Sequence, residues 1–407
     1  MSTEFGSTDF PDLDFDAFHR HELPRRISEG ATANAASGVQ DLGSLGIRIQ
    51  GSESSYTYRT HREKIEIIPG DEGADVSIEL PHSVWQALVY DFESPASLLY
   101  HGEVNKLRGD LMDFVQWEAS LRALYTGRPV YHPDEVDLRD RRGDPLDPCL
   151  AFHLDDDREE MKHFLAEAGY LYIKGAFSPE EIEGFQSAAD NLHALATPGD
   201  RKSWWVKNRE GENTLCRSLQ AGSMPQLSGL TSDPRLLGLV DLAEIKMVPH
   251  DPGELDAVSV LWKLPEIDQG LADLPWHRDC GMGGHTGMCP TIVCSIFLGP
   301  NTPEAGQLRF LPGSWKSTFR VGEATGENAL AGVLVPAGPG DLTIHYGDGW
   351  HAAPSPTSSE GPFRSSVLVS FKREGAYNHR GVRHYNDVLL DGEEGRVSDV
   401  REVTGRS

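Results

Sequence analysis

AVSVLWKLPE (residues 257–266) opens the part of the chain that decides its fold. From Ala257 onward, short apolar runs are separated by Gly and Pro turns, at 258–264, 291–298, 308–311, 332–335, 342–344 and 366–371. Runs of this length bounded by turn residues read as strands. Their crowding into one stretch predicts an antiparallel β-sandwich or barrel. Just upstream, Met161, Phe164, Leu165 and Ala168 make an apolar helical face that Gly169 ends, and Tyr170–Ile173 reads as a strand. Ser178, Pro179 and Glu181 then form a capping box with proline at the first helical position. Ile182, Phe185 and Ala189 share one side of the helix that follows. The domain at 150–407 is therefore expected to set a helical front on a β body.

Further out, residues 26–130 read as a small α/β domain. Val76, Ile78 and Leu80 alternate with polar neighbours, as in a half-buried strand. Val84, Leu88 and Phe92 recur at helical spacing, as do Phe114, Trp117, Leu121 and Leu124. Residues 131–149 carry Pro133, Pro145 and Pro148 and a charge run at 137–144, and are expected as a linker. The polar, acidic segment 1–25 is expected as a disordered tail.

Asp and Glu number 63 against 37 Lys and Arg, a formal charge of -26 over 407 residues. That balance repels phosphate backbones and anionic membranes and argues against a nucleic-acid partner. Hydrophobic residues make up 38% of the chain, and no window approaches the ~18 apolar residues that span a bilayer. The first residues lack the basic start and apolar core of a signal peptide. The five cysteines contain no CxxC pair, and their odd number suits reduced thiols in the cytoplasm. A small-molecule partner and a cytoplasmic location are the expectations.

The chemical signal is His277-Arg278-Asp279. In a strand, residues i and i+2 share a face, so His277 and Asp279 can grip one metal from one side. A further histidine completes a two-histidine, one-carboxylate face with open positions, as in non-haem Fe(II) oxygenases. The spacing alone is weak, since His132-Pro133-Asp134 and His153-Leu154-Asp155 share it. Only the third instance is followed by matching parts. Residues 338–345 make a turn and strand leading to His345 and, six residues on, His351. Arg364 opens the apolar strand that begins at Ser366, and a guanidinium planted on a core strand needs an anion. A dicarboxylate's far end fits its fork. His345 and His351 compete for the remaining metal position.

Together these blocks resemble the phytanoyl-CoA dioxygenase family. EEMKHFLAEAGYLYIKGAFSPEEIEGF (159–185), AVSVLWKLPE, WHRD (276–279), TPEAGQLRFLPGSW (302–315) and GDLTIHYGDGWHAAPSPT (340–357) followed by FRSSVLVSF (363–371) occur in the family's order. The resemblance implies a double-stranded β-helix of the cupin kind. It implies Fe(II) held by His277, Asp279 and His351, and 2-oxoglutarate and O2 as cosubstrates. Arg364 would hold the far carboxylate of 2-oxoglutarate. Because Asp279 is retained, hydroxylation is implied in preference to halogenation. Two positions depart from the pattern. Trp315 stands where the family often has His, expected as a surface-turn change. Ala353 stands where many members have a Ser that helps hold the cosubstrate.

The run ADVSIELPHSVWQALVYDFESPASLLYHGEVNKLRGDL (74–111) is similar to a sterol-carrier type of lipid-binding domain. That likeness implies an apolar tunnel lined by Leu98, Leu99, Val104, Leu107, Leu111 and Phe114, and an apolar, lipid-like or acyl substrate. Candidate pocket walls in the catalytic part are 204–209 and 281–287. Three rivals remain: a lipid carrier with a degenerate oxygenase domain, a hydroxylase of a polar natural product, and a cupin isomerase without 2-oxoglutarate.

Overall fold

The computed structural model describes all residues except 1–4, 6, 8, 33, 252–253, 270–273, 286–288, 290, 321–330, 377–384, 391–394 and 405–407. Among the described residues, the two largest hydrophobic cores lie on either side of residue 131.

The N-terminal core is built on a five-stranded sheet. Leu45–Ile49 lies at its centre, antiparallel to Ser55–His61 and parallel to Val76–Leu80, with Lys64–Pro69 and Asn105–Arg108 at the edges. The apolar positions Val76, Ile78 and Leu80 are fully buried. They pack with Trp85, Leu88, Phe114, Trp117, Leu121 and Leu124 from the helical segments. This satisfies both periodicities at once, the strand period on one side and the helical period on the other.

The disordered tail expected at 1–25 is corrected over its second half. Phe15–Ala17, Phe18–Glu22 and Leu23–Ser28 are consecutive helical turns, and the side chain of Asp14 caps the first. Phe15, Phe18 and Leu23 are buried in the N-terminal core. Acidic residues between those anchors disguise an amphipathic helix as a solvated tail.

His19 is carried into that core with them. Its Nδ1–H donates to Phe15 O at 2.7 Å, and its Nε2 meets the Tyr58 hydroxyl at 2.6 Å. Burial pushes its pKa from 6.5 down to about 4. The unfolded chain takes up this proton as pH falls through 6.5, whereas the folded chain refuses it until about 4. Stability is therefore complete above 6.5 and is lost progressively as pH falls towards 4. At about 1.4 kcal/mol per unit, His19 accounts for about 3 kcal/mol of acid destabilisation. Thermal melts from pH 7 to 4 should show it in the wild type and a shallower acid slope in His19→Gln. Equal slopes would refute the assignment.

The C-terminal core holds two sheets. The larger runs Ile267–Gln269, Ser203–Asn208, Asn213–Ser218, Val258–Trp262, Ser365–Arg373, Thr291–Phe297, Leu342–Tyr346, Tyr170–Ile173, with Met247–Pro249 also on Ser365–Arg373. The smaller runs Leu274–His277, His351–Ala353, Arg309–Phe310, Val333–Leu334. All pairings in both sheets are antiparallel. Both sheets contribute walls to one cavity, so they face each other as the halves of a jelly roll. Helices Arg158–Ala168 and Pro179–Leu195 flank the larger sheet, the second opened by the capping box at Ser178 and Glu181.

Residues 131–149 run mostly exposed and are anchored at Tyr131, Val136, Leu138 and Leu146. Tyr131 is buried with Trp276, Phe319 and Trp350, and Arg139 bridges to Pro145 in a short hairpin. Trp315 is also corrected. It is buried, stacks on Tyr346 at 4.4 Å and donates from Nε1 to Ala166 O at 3.1 Å. Its indole fills the space beside Gly169, where a Cβ would come within 2.5 Å of the ring. A large aromatic in a Pro-Gly turn is legible as core only when its partners are known.

The two cores are joined by charge. Arg278 donates from Nη2 to Glu118 Oε1 at 2.9 Å, with both side chains buried. Asp348 pairs with Arg128 at 2.9 Å and faces Arg278 and Arg122. Although burial opposes its ionisation, those three arginines hold Asp348 well below the usual carboxylate range. Removing one partner of a buried pair costs ~3–5 kcal/mol. Asp348 still faces Arg278 after Glu118→Ala, so a loss near the low end, about 3 kcal/mol, is expected in denaturant melts. A change under about 0.5 kcal/mol would show that the pair does not join the cores.

Among the described residues, no helix is long and apolar enough to cross a membrane.

Candidate active site

The smaller sheet positions the metal-binding candidates. Leu274–His277 ends on His277 and His351–Ala353 begins on His351, and the register places these two residues opposite each other. Their rings lie 4.2 Å apart. Asp279 follows in the turn after His277, pinned by its backbone N–H donating to Gly347 O at 2.9 Å. One donor atom from each of His277, Asp279 and His351 falls within 4.8 Å of the others. The three residues expected from the sequence therefore converge, and the grouping excludes both other His-x-Asp pairs. His132 bonds Ser37 from Nε2 at 2.7 Å, while His153 and Asp155 are exposed.

The hydrogen bonds suit a metal. His351 Nδ1–H donates to Gly349 O at 2.9 Å, which turns its Nε2 towards Asp279 Oδ1, 3.6 Å away. Fixing one ring nitrogen in this way presents the other as a ligand. Burial, with His277 beside it, pushes the His351 pKa well down, so the ring is neutral as a ligand must be. Burial opposes ionisation of Asp279, but His351, His345 and His277 hold its carboxyl below the usual range.

His345, the competitor for the third position, has a different place. It lies in the strand Leu342–Tyr346, and its Nε2–H donates to Asp279 Oδ2 at 3.2 Å. It borders the same cavity and holds that carboxylate oxygen through this bond.

Arg364 sits at the start of Ser365–Arg373 and borders the same cavity. Nε donates to Gly306 O at 2.7 Å and Nη1 reaches Ser366 Oγ at 3.4 Å. Among the described residues it has no carboxylate partner, and burial alone brings its pKa from 12.5 down to about 10. A buried guanidinium facing a cavity without an acid is a site for an anion. Ala353 lines the cavity too, and its carbonyl accepts from Lys263 Nζ. That lysine directly follows the strand Val258–Trp262 of the larger sheet, its N–H donates to Arg364 O at 2.8 Å, and its side chain reaches the smaller sheet.

The cavity holds about 330 Å³. Trp204, Gly281 and Met282 line it, within the expected stretches 204–209 and 281–287; Thr286 and Gly287 lie outside the described residues. The sequence reading missed the contribution of the N-terminal unit, whose Ala96, Tyr100, Val115 and Glu118 also form wall. No local pattern marks them, because only docking of the two cores brings them there. It also missed a polar group at the cavity edge. Arg217 lies over the Trp204 ring at 4.9 Å and faces Asp256 at 3.7 Å, and Asp256 accepts from the Tyr385 hydroxyl at 2.9 Å. None of the residues expected to line a lipid tunnel in the N-terminal unit borders this cavity. Leu98 and Phe114 belong to the N-terminal core, Leu99 packs with Met112 and Val115, and Leu107 is exposed.

Residues 165–365 match the family model described as Phytanoyl-CoA dioxygenase (PhyH), a span containing all four expected site residues. This stretch is a PhyH family domain. The N-terminal unit lies outside the match. No curated protein matches the chain. Among solved structures, the domain is similar to EctD from S. alaskensis with bound Fe, at 19% identity and a TM-score of 0.45. That alignment covers 67% of this chain and 96% of the other. The non-heme alpha ketoglutarate dependent carbocyclase SnoK from nogalamycin biosynthesis matches at 19% and 0.44, covering 60% and 95%. The epimerase SnoN in complex with Fe3+, alpha ketoglutarate and nogalamycin RO matches at 18% and 0.43, covering 59% and 94%.

Proposed function

We propose that the protein is an Fe(II)- and 2-oxoglutarate-dependent dioxygenase that hydroxylates an apolar organic substrate. The observation that carries this reading is a single cavity bordered by His277, Asp279 and His351 and by a buried Arg364 without an acidic partner. The iron and alpha ketoglutarate named for the SnoN complex, and the iron named for EctD, agree with it.

Two imidazoles and a carboxylate suit Fe(II) and would leave it positions for cosubstrates. Fe(II), when bound, supplies the redox chemistry in which O2 and 2-oxoglutarate give succinate and CO2, one oxygen atom entering succinate and the other the substrate as hydroxyl. His277, Asp279 and His351 hold the ion, and His345 keeps Asp279 turned towards it. Arg364 takes the distal carboxylate of 2-oxoglutarate, which restores the charge balance that burial disturbs. Ala96, Val115, Leu261, Leu389 and Val400 give the cavity an apolar wall. Those side chains exclude water from the reacting atoms and favour an apolar substrate. The Arg217–Asp256–Tyr385 group is the place for one polar substituent.

Anaerobic titration of Fe(II)-loaded protein with 2-oxoglutarate tests the reading. A weak visible charge-transfer band is expected in the wild type and not in His277→Ala. Iron binding without the band would favour the cupin isomerase. Failure of folded protein to bind iron would favour the lipid carrier.

A further inference from the structure

Behind the candidate iron face lies a second cluster of metal-binding side chains. Cys280, His285 and Cys289 each place one donor atom within 4.8 Å of the other two. Asp279 and Cys280 are consecutive but face different ways. Asp279 borders the catalytic cavity, whereas Cys280, His285 and Cys289 do not. Cys280 Sγ instead turns to the joint between the two cores, where it accepts from Arg278 Nη1 at 2.9 Å and its S–H donates to Asp348 Oδ1 at 3.1 Å. We propose that Cys280, His285 and Cys289 form a second metal site, specific for a thiophilic divalent cation of the Zn(II) class, that fixes the loop after the His-x-Asp motif against the N-terminal unit.

Three observations support the site. First, the pocket for the second thiol is built into the backbone. The backbone of Gly347 leaves the room that Cys289 Sγ occupies, since a Cβ there would come within 2.5 Å of it. The Cys289 N–H is itself anchored on Asp348 Oδ2 at 2.7 Å. Second, both ring nitrogens of His285 are buried, and the polar group beside them is the Cys280 thiol. Buried imidazole nitrogens ordinarily find a partner, and a cation among the three donors supplies one. Third, the charges balance. The surrounding side chains Arg122, Arg128 and Arg278 are matched by Asp91, Glu118 and Asp348. A divalent cation entering with two thiolates and a neutral imidazole adds no net charge, the two thiol protons passing to solvent.

Donor chemistry separates the two sites. Two thiolates and an imidazole favour Zn(II), whereas two imidazoles and a carboxylate favour Fe(II). Zn–S bonds of ~2.3 Å and Zn–N bonds of ~2.0 Å require donors roughly 3.5–4 Å apart, so a small contraction of the cluster closes the site. The loop it would hold also touches the N-terminal unit, through the Ser94 hydroxyl donating to Gly281 O at 2.6 Å and Gly284 N–H donating to Phe92 O.

Titration of the full-length, reduced, chelator-stripped protein with Co(II) under anaerobic conditions tests the proposal. One equivalent should give an intense thiolate-to-cobalt band that Zn(II) abolishes. The band should persist in the double variant His277→Ala/His351→Ala, whose iron face is broken, and vanish in Cys289→Ser. X-ray absorption at the cobalt of that double variant should count two sulfur ligands, a measurement that does not require Cys289→Ser to fold. Absence of the thiolate band, its loss in the double variant, or a Cys280–Cys289 disulfide in freshly isolated protein would each overturn the site.

Discussion

His351→Ala is expected to abolish stoichiometric Fe(II) binding and, with it, turnover. His351 supplies one of three protein donors, and its ring is oriented by the Gly349 carbonyl, which accepts from Nδ1–H at 2.9 Å. Mutating a group that merely orients a ligand costs ~10–100-fold in metal affinity or activity. Removing the ligand itself should exceed ~100-fold. His345→Ala is the internal comparison, because its Nε2 touches Asp279 Oδ2 at 3.2 Å and it stands outside the grouped donors. Iron affinity measured by competition with a chelator should therefore fall far more in His351→Ala than in His345→Ala. The reverse order would exchange the two histidines and refute the assignment.

Arg364→Ala should raise the apparent KM for 2-oxoglutarate by roughly 30-fold to 4,000-fold. Truncating one partner of a buried, hydrogen-bonded charge pair costs ~2–5 kcal/mol, and each 1.4 kcal/mol is about tenfold. Arg364→Lys should recover only part of the loss, since a point charge cannot reproduce the planar fork. Stability gives a second readout. The guanidinium is buried without an acid, and burial brings its pKa down to about 10. Adding 2-oxoglutarate at a hundred times its Kd should stabilise the Fe(II)-loaded wild type by about 2.7 kcal/mol and should leave Arg364→Ala nearly unmoved. An unchanged KM in Arg364→Ala, with no ligand-dependent shift in the wild type, would mean that Arg364 does not hold the cosubstrate.

Residue order alone made the catalytic half readable. Strand-length apolar runs between Gly and Pro turns predict an antiparallel β body, because backbone periodicity and turn chemistry are local properties. His277 and Asp279 were legible from a spacing that puts two side chains on one face of a strand, although Asp279 falls in the turn just after Leu274–His277, where its N–H donates to Gly347 O. His351 and Arg364 were legible only through their place in an ordered set of blocks. The position of His345 was not legible, since a histidine six residues before His351 reads the same whether it binds a metal or turns a carboxylate. Pairing of Leu342–Tyr346 with Thr291–Phe297, and of His351–Ala353 with Leu274–His277, sets the two apart.

Folding of the whole chain decided the rest. The helix carrying Phe15, Phe18 and Leu23 looks like a solvated tail until Trp85 and Tyr56 are present to receive it. Trp315 looks like surface until Gly169 and Tyr346 enclose it. The cavity wall from Ala96 and Val115, the pairing of Arg278 with Glu118 and the grouping of Cys280, His285 and Cys289 about Gly347 all depend on two separate cores meeting. Local propensity reaches only as far as neighbouring residues along the chain, whereas burial, charge pairing and ligand geometry depend on side chains that tertiary packing brings together from distant parts of it.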